Sequence, residues 1–456
     1  MTRWFVAALL VAALYLTGVP RNPPGFHVDE ASIAYNALTI ARSGLDEHGQ
    51  RFPLFFRAFG EYKNPTYVYA LAAVYLVTGP SVLAARVLSA LFGVAAALLL
   101  GRLAWVQTRN RGVTLLTIAT AALTPGLFEL SRLVFEVAAF PLALALFLLA
   151  ARRGYDGRPQ VLALVATLAL VTYTYTAGRL LGPALALLLV LLVRGRTIVV
   201  AVLLLYALTL VPLVVWNAKS GGALTARKRV MVEDRSVATV ASNYLANLSP
   251  VRLLLRGDKN ARHHVPDSGG PVLLTTFVLA LAAFARRDRW IWFLAGGALA
   301  AVVPVALTVD AGHALRMSGL FVFLLALSIP ALELALRSRA RAMALLAVGV
   351  LQAAFFFHAF HTRGALRLNE FHHGVQETVD SALDQGRRPV YLYEGASIVF
   401  AYWFGELRGV DRTAFAVLQR HELPPPGAIL IGQGKRRPDA VLLSTHGRFG
   451  VHRLAE

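Results

Sequence analysis

Two adjacent carboxylates, Asp29 and Glu30, stand just beyond the first apolar run of a 456-residue chain. The polar stretch they open, 27–69, closes on Tyr62 and Lys63. Later polar residues recur in short groups: Arg86; Arg132 and Glu136 in SRLVFE; Tyr173, Tyr175 and Arg179 in YTYTAGR; Asp258, Lys259, Arg262, His263 and His264 in GDKNARHH; His313 and Arg316 in DAGHALR. A carboxylate can take the proton of an incoming hydroxyl. Cations can hold the charge that develops on a departing phosphate, lysine as a point charge and arginine as a fork. Together these groups suit displacement of a phosphate leaving group by a hydroxyl.

Each position also has a plainer role. Acids at a helix start cap it and suit its dipole. Lys63 can snorkel, Arg132 and Glu136 can pair at i,i+4, and Arg86, Arg179 and Arg316 can meet lipid headgroups. His263 and His264 lack an evident set of further ligands, so the reading there is a solvated loop with no metal. No P-loop, GxSxG, HExxH or dinucleotide fingerprint is present, and no cofactor is expected.

The elements that must position these groups are membrane spans. The chain is 57% hydrophobic and only 15% charged, against about 25% charged in soluble domains. Apolar runs are predicted to span at 4–19, 83–105, 113–128, 134–151, 160–176, 180–193, 197–216, 271–285, 290–309, 315–336 and 342–360. The first is expected to be an uncleaved span, since no small-x-small site follows it. The net charge of +20 is carried by arginines in alternate short loops, from Arg3 through Arg109, Arg152, Arg194, Arg286 and Arg337 onward. That is an orientation signal rather than a nucleic-acid footprint, and it puts the N-terminus in the cytoplasm. Glu129, Glu233, Asp234, Asp258 and Asp310 then fall outside with the opening acids, as does the C-terminus. There is no cysteine.

The expected architecture is an all-α polytopic membrane protein of about eleven transmembrane helices over 1–360, with a small extracytoplasmic α/β domain over 361–456. In the first outer loop, 20–82, Asp29 is predicted to cap a helix ended by Gly44. Its face of Ile33, Ala37, Ile40 and Ala41 is predicted to lie along the membrane surface. A second short helix, 65–77, is interfacial or re-entrant. In the tail, 390–393, 428–431 and 440–443 read as strands.

The opening loop, DEASIAYNALTIARSGLDEHGQRFPLFFRAFGEYKNPTYVY, then LSRLVFE, YTYTAGRLLGP, GDKNARHHVPDSG and HALRMSGLFVFLLAL, occur in an order that resembles the GT-C membrane glycosyltransferases. The resemblance covers roughly 1–335 and is nearest to family 39-like and ArnT-like enzymes, relatives of protein O-mannosyltransferases. It implies a polyprenyl-phosphate-linked sugar donor in the outer leaflet and inverting transfer to an extracytoplasmic acceptor, be it lipid, glycan or protein. It implies Asp29 as base, with Glu30 orienting acceptor or loop. Lys63 holds the donor phosphate. Arg132, Arg179 and Arg316 stand at further polar or phosphate-binding positions, and Tyr62, Tyr175 and His313 beside them are grouped with the substrate-binding residues. Three rivals keep the membrane topology: a transporter or flippase without chemistry, a non-catalytic scaffold that binds an outer-leaflet lipid through its arginines and would tolerate loss of Asp29, and a GT-C polymerase or ligase with another acceptor. Acids at the outer surface and nearly uncharged span centres count against the first.

Overall fold

Long Leu/Ala/Val runs can satisfy their backbone in a bilayer as helices, and a helix forms in each of the eleven apolar segments. The computed structural model describes residues 2–224, 236–309, 312–393, 397–418, 424–433 and 439–455. Glu233, Asp234 and Asp310 lie outside the described residues. In chain order, α1 (Thr2–Leu16) leads to α2 (Val28–Ser43), a hairpin of β1 (Phe56–Ala58) and β2 (Glu61–Lys63), and α3 (Pro65–Thr78). Then come α4 (Val82–Thr108), α5 (Arg111–Leu123), α6 (Pro125–Leu130), α7 (Phe140–Tyr155), α8 (Val161–Thr174), α9 (Gly178–Leu192) and α10 (Arg196–Lys219). The connection after it carries α11 (Val237–Asn247), and α12 (Leu274–Ala282), α13 (Arg289–Ala306), α14 (Ser318–Ala335) and α15 (Arg339–Arg363) follow. The tail holds α16 (Val375–Leu383), β3 (Val390–Leu392), α17 (Ile398–Leu407), β4 (Phe415–Val417), β5 (Ile429–Gln433), β6 (Ala440–His446) and β7 (Phe449–Leu454).

Six helices among the described residues are long and apolar enough to cross a membrane: α4, α7 with its preceding 3-10 turn, α10, α13, α14 and α15. The helices at the other five predicted spans are shorter.

The chain divides into two compact units. The first comprises 1–17, 53–67 and 87–361, and the second 18–52, 68–86 and 362–456. In the first, α14 is enclosed along most of its length and packs against α12, α13, α7 and α5. Gly297 makes the α13–α14 approach possible, since a Cβ there would stand 2.3 Å from the Phe323 ring. By contrast α10 is mostly exposed, as expected of a helix facing lipid.

In the second unit, α2 ends as expected on Gly44, in the left-handed region at φ 72°. Its start differs, because His27 rather than Asp29 is the cap. Its setting differs too. Residues 30–38 are all buried, on every side of the helix, and α2 packs against α17. Small residues at Ala31, Ser32, Ala34 and Ala37 let neighbours close on more than the one apolar face that the pattern suggested. The three predicted tail strands form within a five-stranded sheet of order β4-β3-β5-β7-β6, with β3 parallel to β4 and β5 and the β5–β7–β6 half antiparallel. Helix α16 packs on this sheet and on α17.

Candidate active site

Three polar clusters hold most of the residues singled out above. The first lies in the second unit, at the start of α2. Nδ1 of His27 accepts the Asp29 N–H at 3.1 Å, and Glu30 Oε2 accepts the His27 N–H at 2.8 Å, which completes a reciprocal cap. Arg86 donates to Glu30 Oε2 at 3.2 Å and to the carbonyls of Pro23 and Gly25 at 2.8 Å each. Both charged side chains of that pair are 0% exposed. Arg86 is therefore committed inside the fold and does not serve as a lipid-headgroup contact. Since His27 Nδ1 accepts a backbone N–H, its proton sits on Nε2. The Asp29 carboxylate is relieved of capping. It lies 3.4 Å from His27 Nδ1 and is 22% exposed.

The second cluster lies in the first unit. The hairpin pairs Phe56 with Lys63 and delivers Lys63 to the strand end, where its Nζ stands 3.0 Å from Glu61 Oε1. The next residue, Asn64, is fully buried. Its N–H and Nδ2 donate to the two oxygens of Glu136 at 2.5 and 3.1 Å. Its Oδ1 accepts from Nε and Nη2 of Arg179 at 3.2 and 2.6 Å. Arg179 also lies 4.9 Å from the Phe55 ring centroid, within cation–π range. Tyr62 meets Trp216 edge-on at 4.6 Å. Arg179 thus meets Asn64 directly, and Tyr62 stands near it through Trp216 and Phe55, whereas the Lys63 side chain, on the opposite face of β2 from Tyr62, turns to Glu61. Tyr175, buried against Phe140, and Arg132 do not take part through the contacts described: Arg132 donates to the carbonyls of Tyr15 and Thr17 at 2.6 and 2.9 Å, fastening the end of α1.

The third cluster, also in the first unit, joins the loops around 258–270 and 312–317. His263 and His264 are buried, not solvated. Their charge states are set by opposite surroundings. Nδ1 of His263 faces Asp258 Oδ2 at 2.9 Å, and its Nε2 accepts from Arg262 Nε at 3.1 Å, an arrangement only the neutral ring satisfies. Burial lowers its pKa against the pull of Asp258. Burial would raise that of Asp258, but the His263 hydrogen bond and two backbone N–H groups outweigh it and hold the carboxylate ionised. His264 faces acceptors on both sides, Glu129 at Nδ1 and the Gly269 carbonyl at Nε2, 2.7 Å away. Burial alone would lower its pKa, yet the Glu129 carboxylate raises it, so this ring is the imidazolium.

His313 stacks on His263 with centroids 4.2 Å apart, and burial followed by the charges of neighbouring groups, Arg316 and Arg262 among them, depresses its pKa. Asp258, His263 and His313 each offer a ligand atom within 4.8 Å of the others, so they are the group among the described residues able to hold a metal. Arg262 already occupies the His263 lone pair, and two guanidiniums nearby oppose a cation.

No protein-family model matches the chain, and no curated protein does. Solved structures do. The chain is similar to ArnT from Cupriavidus metallidurans bound to undecaprenyl phosphate, at 14% identity and TM-score 0.62, over 99% of this chain and 98% of that one. It is similar to the same enzyme in the apo state at TM-score 0.64, with identical identity and coverage. The arabinofuranosyltransferase AftD from Mycobacteria gives 12% identity and TM-score 0.52, over 100% of this chain and 40% of that one. The chain has the GT-C fold of membrane glycosyltransferases.

Proposed function

We propose that this chain is an inverting glycosyltransferase that moves a sugar from a polyprenyl-phosphate carrier to an acceptor hydroxyl outside the cytoplasm. The observation that carries the proposal is the Asp29 carboxylate, 22% exposed at the start of α2 and 3.4 Å from the capping His27. The likeness in fold to an enzyme solved with undecaprenyl phosphate supports the choice of donor.

On this reading Asp29 takes the proton as the acceptor oxygen bonds to the anomeric carbon. The bond from that carbon to the phosphate oxygen breaks on the opposite face, and the electron pair stays on the phosphate. Lys63 and Arg179 stabilise that charge, with Arg316 as a further cation. Glu30, clamped by Arg86, orients the loop and not the substrate. No nucleotide is required. The reading includes eleven spans over 1–360, a cytoplasmic N-terminus, and an extracytoplasmic domain over 361–456.

Sugar transfer in membranes from a panel of polyprenyl-phosphate sugars tests the mechanism. Asp29→Asn is expected to cut turnover by about 10²–10⁴-fold, and Lys63→Ala to weaken donor use. Full transfer by an inserted Asp29→Asn protein contradicts the assignment.

A further inference from the structure

We infer that a cavity in the second unit binds the acceptor and that its ligand is a carbohydrate; this rests on the glycosyl-transfer reading. The cavity measures about 480 Å³, in the range of small-molecule sites. Phe26 and Phe404, both buried and in edge contact at 6.3 Å, form an apolar wall. Arg21, His373, Gln376 and Glu377 form the rim. These four are exposed, and none makes a side-chain hydrogen bond or ion pair with another described residue.

A sugar matches this lining. Its C–H groups meet the edges of the apolar wall, since Phe26 is stacked on Trp403 and covered by Arg86, and its hydroxyls both donate and accept. One arginine and one glutamate on the rim offset each other, which disfavours a bare phosphate; a hydrocarbon would leave the polar rim unused. The wall is built in advance. Gly25 sits at φ +69°, where a Cβ would lie 2.4 Å from the Phe371 carbonyl and 2.8 Å from the His373 Cα, so the 371–373 backbone closes flush on it. Two histidine rings separate the cavity from the proposed base. His372 lines the cavity, the His372 and His27 rings are 5.0 Å apart, and His27 Nδ1 is 3.4 Å from Asp29 Oδ2. A glycan seated here brings a hydroxyl toward the start of α2.

The test uses the full chain in nanodiscs. Binding is measured to immobilised oligosaccharides of glucose, galactose, mannose, arabinose and N-acetylglucosamine, and separately to undecaprenyl phosphate. Gln376→Trp, an exposed position, fills the cavity; the double variant His373→Ala/Glu377→Ala strips the rim. Both are expected to weaken glycan binding and raise the acceptor KM by about 10-fold, equivalent to roughly 1.4 kcal/mol. Turnover at saturating acceptor and undecaprenyl-phosphate affinity are expected to stay at parental values. A parent that binds no sugar of the panel, or variants that bind it as well as the parent, overturn the inference. Glycan binding that disappears in Gln376→Trp, in a parent that transfers sugar from no donor, leaves the cavity standing and removes the transferase reading.

Discussion

His27 does for Asp29 what a serine or aspartate does at most helix starts, and the choice of residue has a chemical consequence. A capping aspartate spends its carboxylate on backbone N–H groups; here an imidazole nitrogen takes that role, and Asp29, two positions on, is not the cap. The two functions separate by substitution. His27→Asn preserves a side-chain acceptor and is expected to hold thermal stability near the parent, whereas His27→Ala is expected to lose about 1 kcal/mol, read by thermal unfolding in detergent. If Asn and Ala lower stability alike, the cap is not what His27 contributes. The sequence showed the acid pair and the cations but not which of them were already engaged. Nothing in the spacing of Arg86 reveals that it closes on Glu30, 56 positions earlier. Asn64 escaped notice because an amide beside a lysine has no signature; its importance comes from Glu136 and Arg179, which only the fold brings to it.

At the scale of elements, apolar runs located a helix at each of the eleven predicted spans, because a bilayer leaves the backbone no alternative, but not α17 in the tail. The connecting loops were harder, since their order comes from pairing across the chain. The 258–270 loop illustrates this: it is polar in sequence yet anchored by a buried imidazolium–carboxylate pair between His264 and Glu129, with the Val265 N–H donating to the other carboxylate oxygen at 2.7 Å. A histidine whose pKa is raised on folding stabilises fully below its unfolded value of about 6.5, and that contribution is lost as pH rises through the folded value. The apparent melting temperature is therefore expected to decline as pH is raised above about 6.5. In His264→Gln this component of the slope is expected to vanish, with a lower melting temperature at pH 6. A parental profile flat from pH 6 upward, equal in slope to the variant, contradicts the charged assignment.

At the scale of the molecule, the tail is not a detachable appendage. The second unit is assembled from 18–52, 68–86 and 362–456, and α2 packs directly on α17. Removal of 362–456 is expected to abolish transfer and to expose the opening loop to proteolysis, measured by limited digestion of membranes. A truncated protein with an intact, protease-resistant loop contradicts this. Composition alone marked the tail as different in kind, with glycine, proline and mixed charge, but gave no sign of its partner, because the residues it packs on precede it by most of the chain. There is a further consequence for biogenesis. Asp29 leaves the ribosome long before α17, on which its helix packs. Until α17 is made, α2 stands in unfinished surroundings. Maturation thus has a checkpoint, and a nascent chain completes the packing of α2 only once 398–407 have been synthesised.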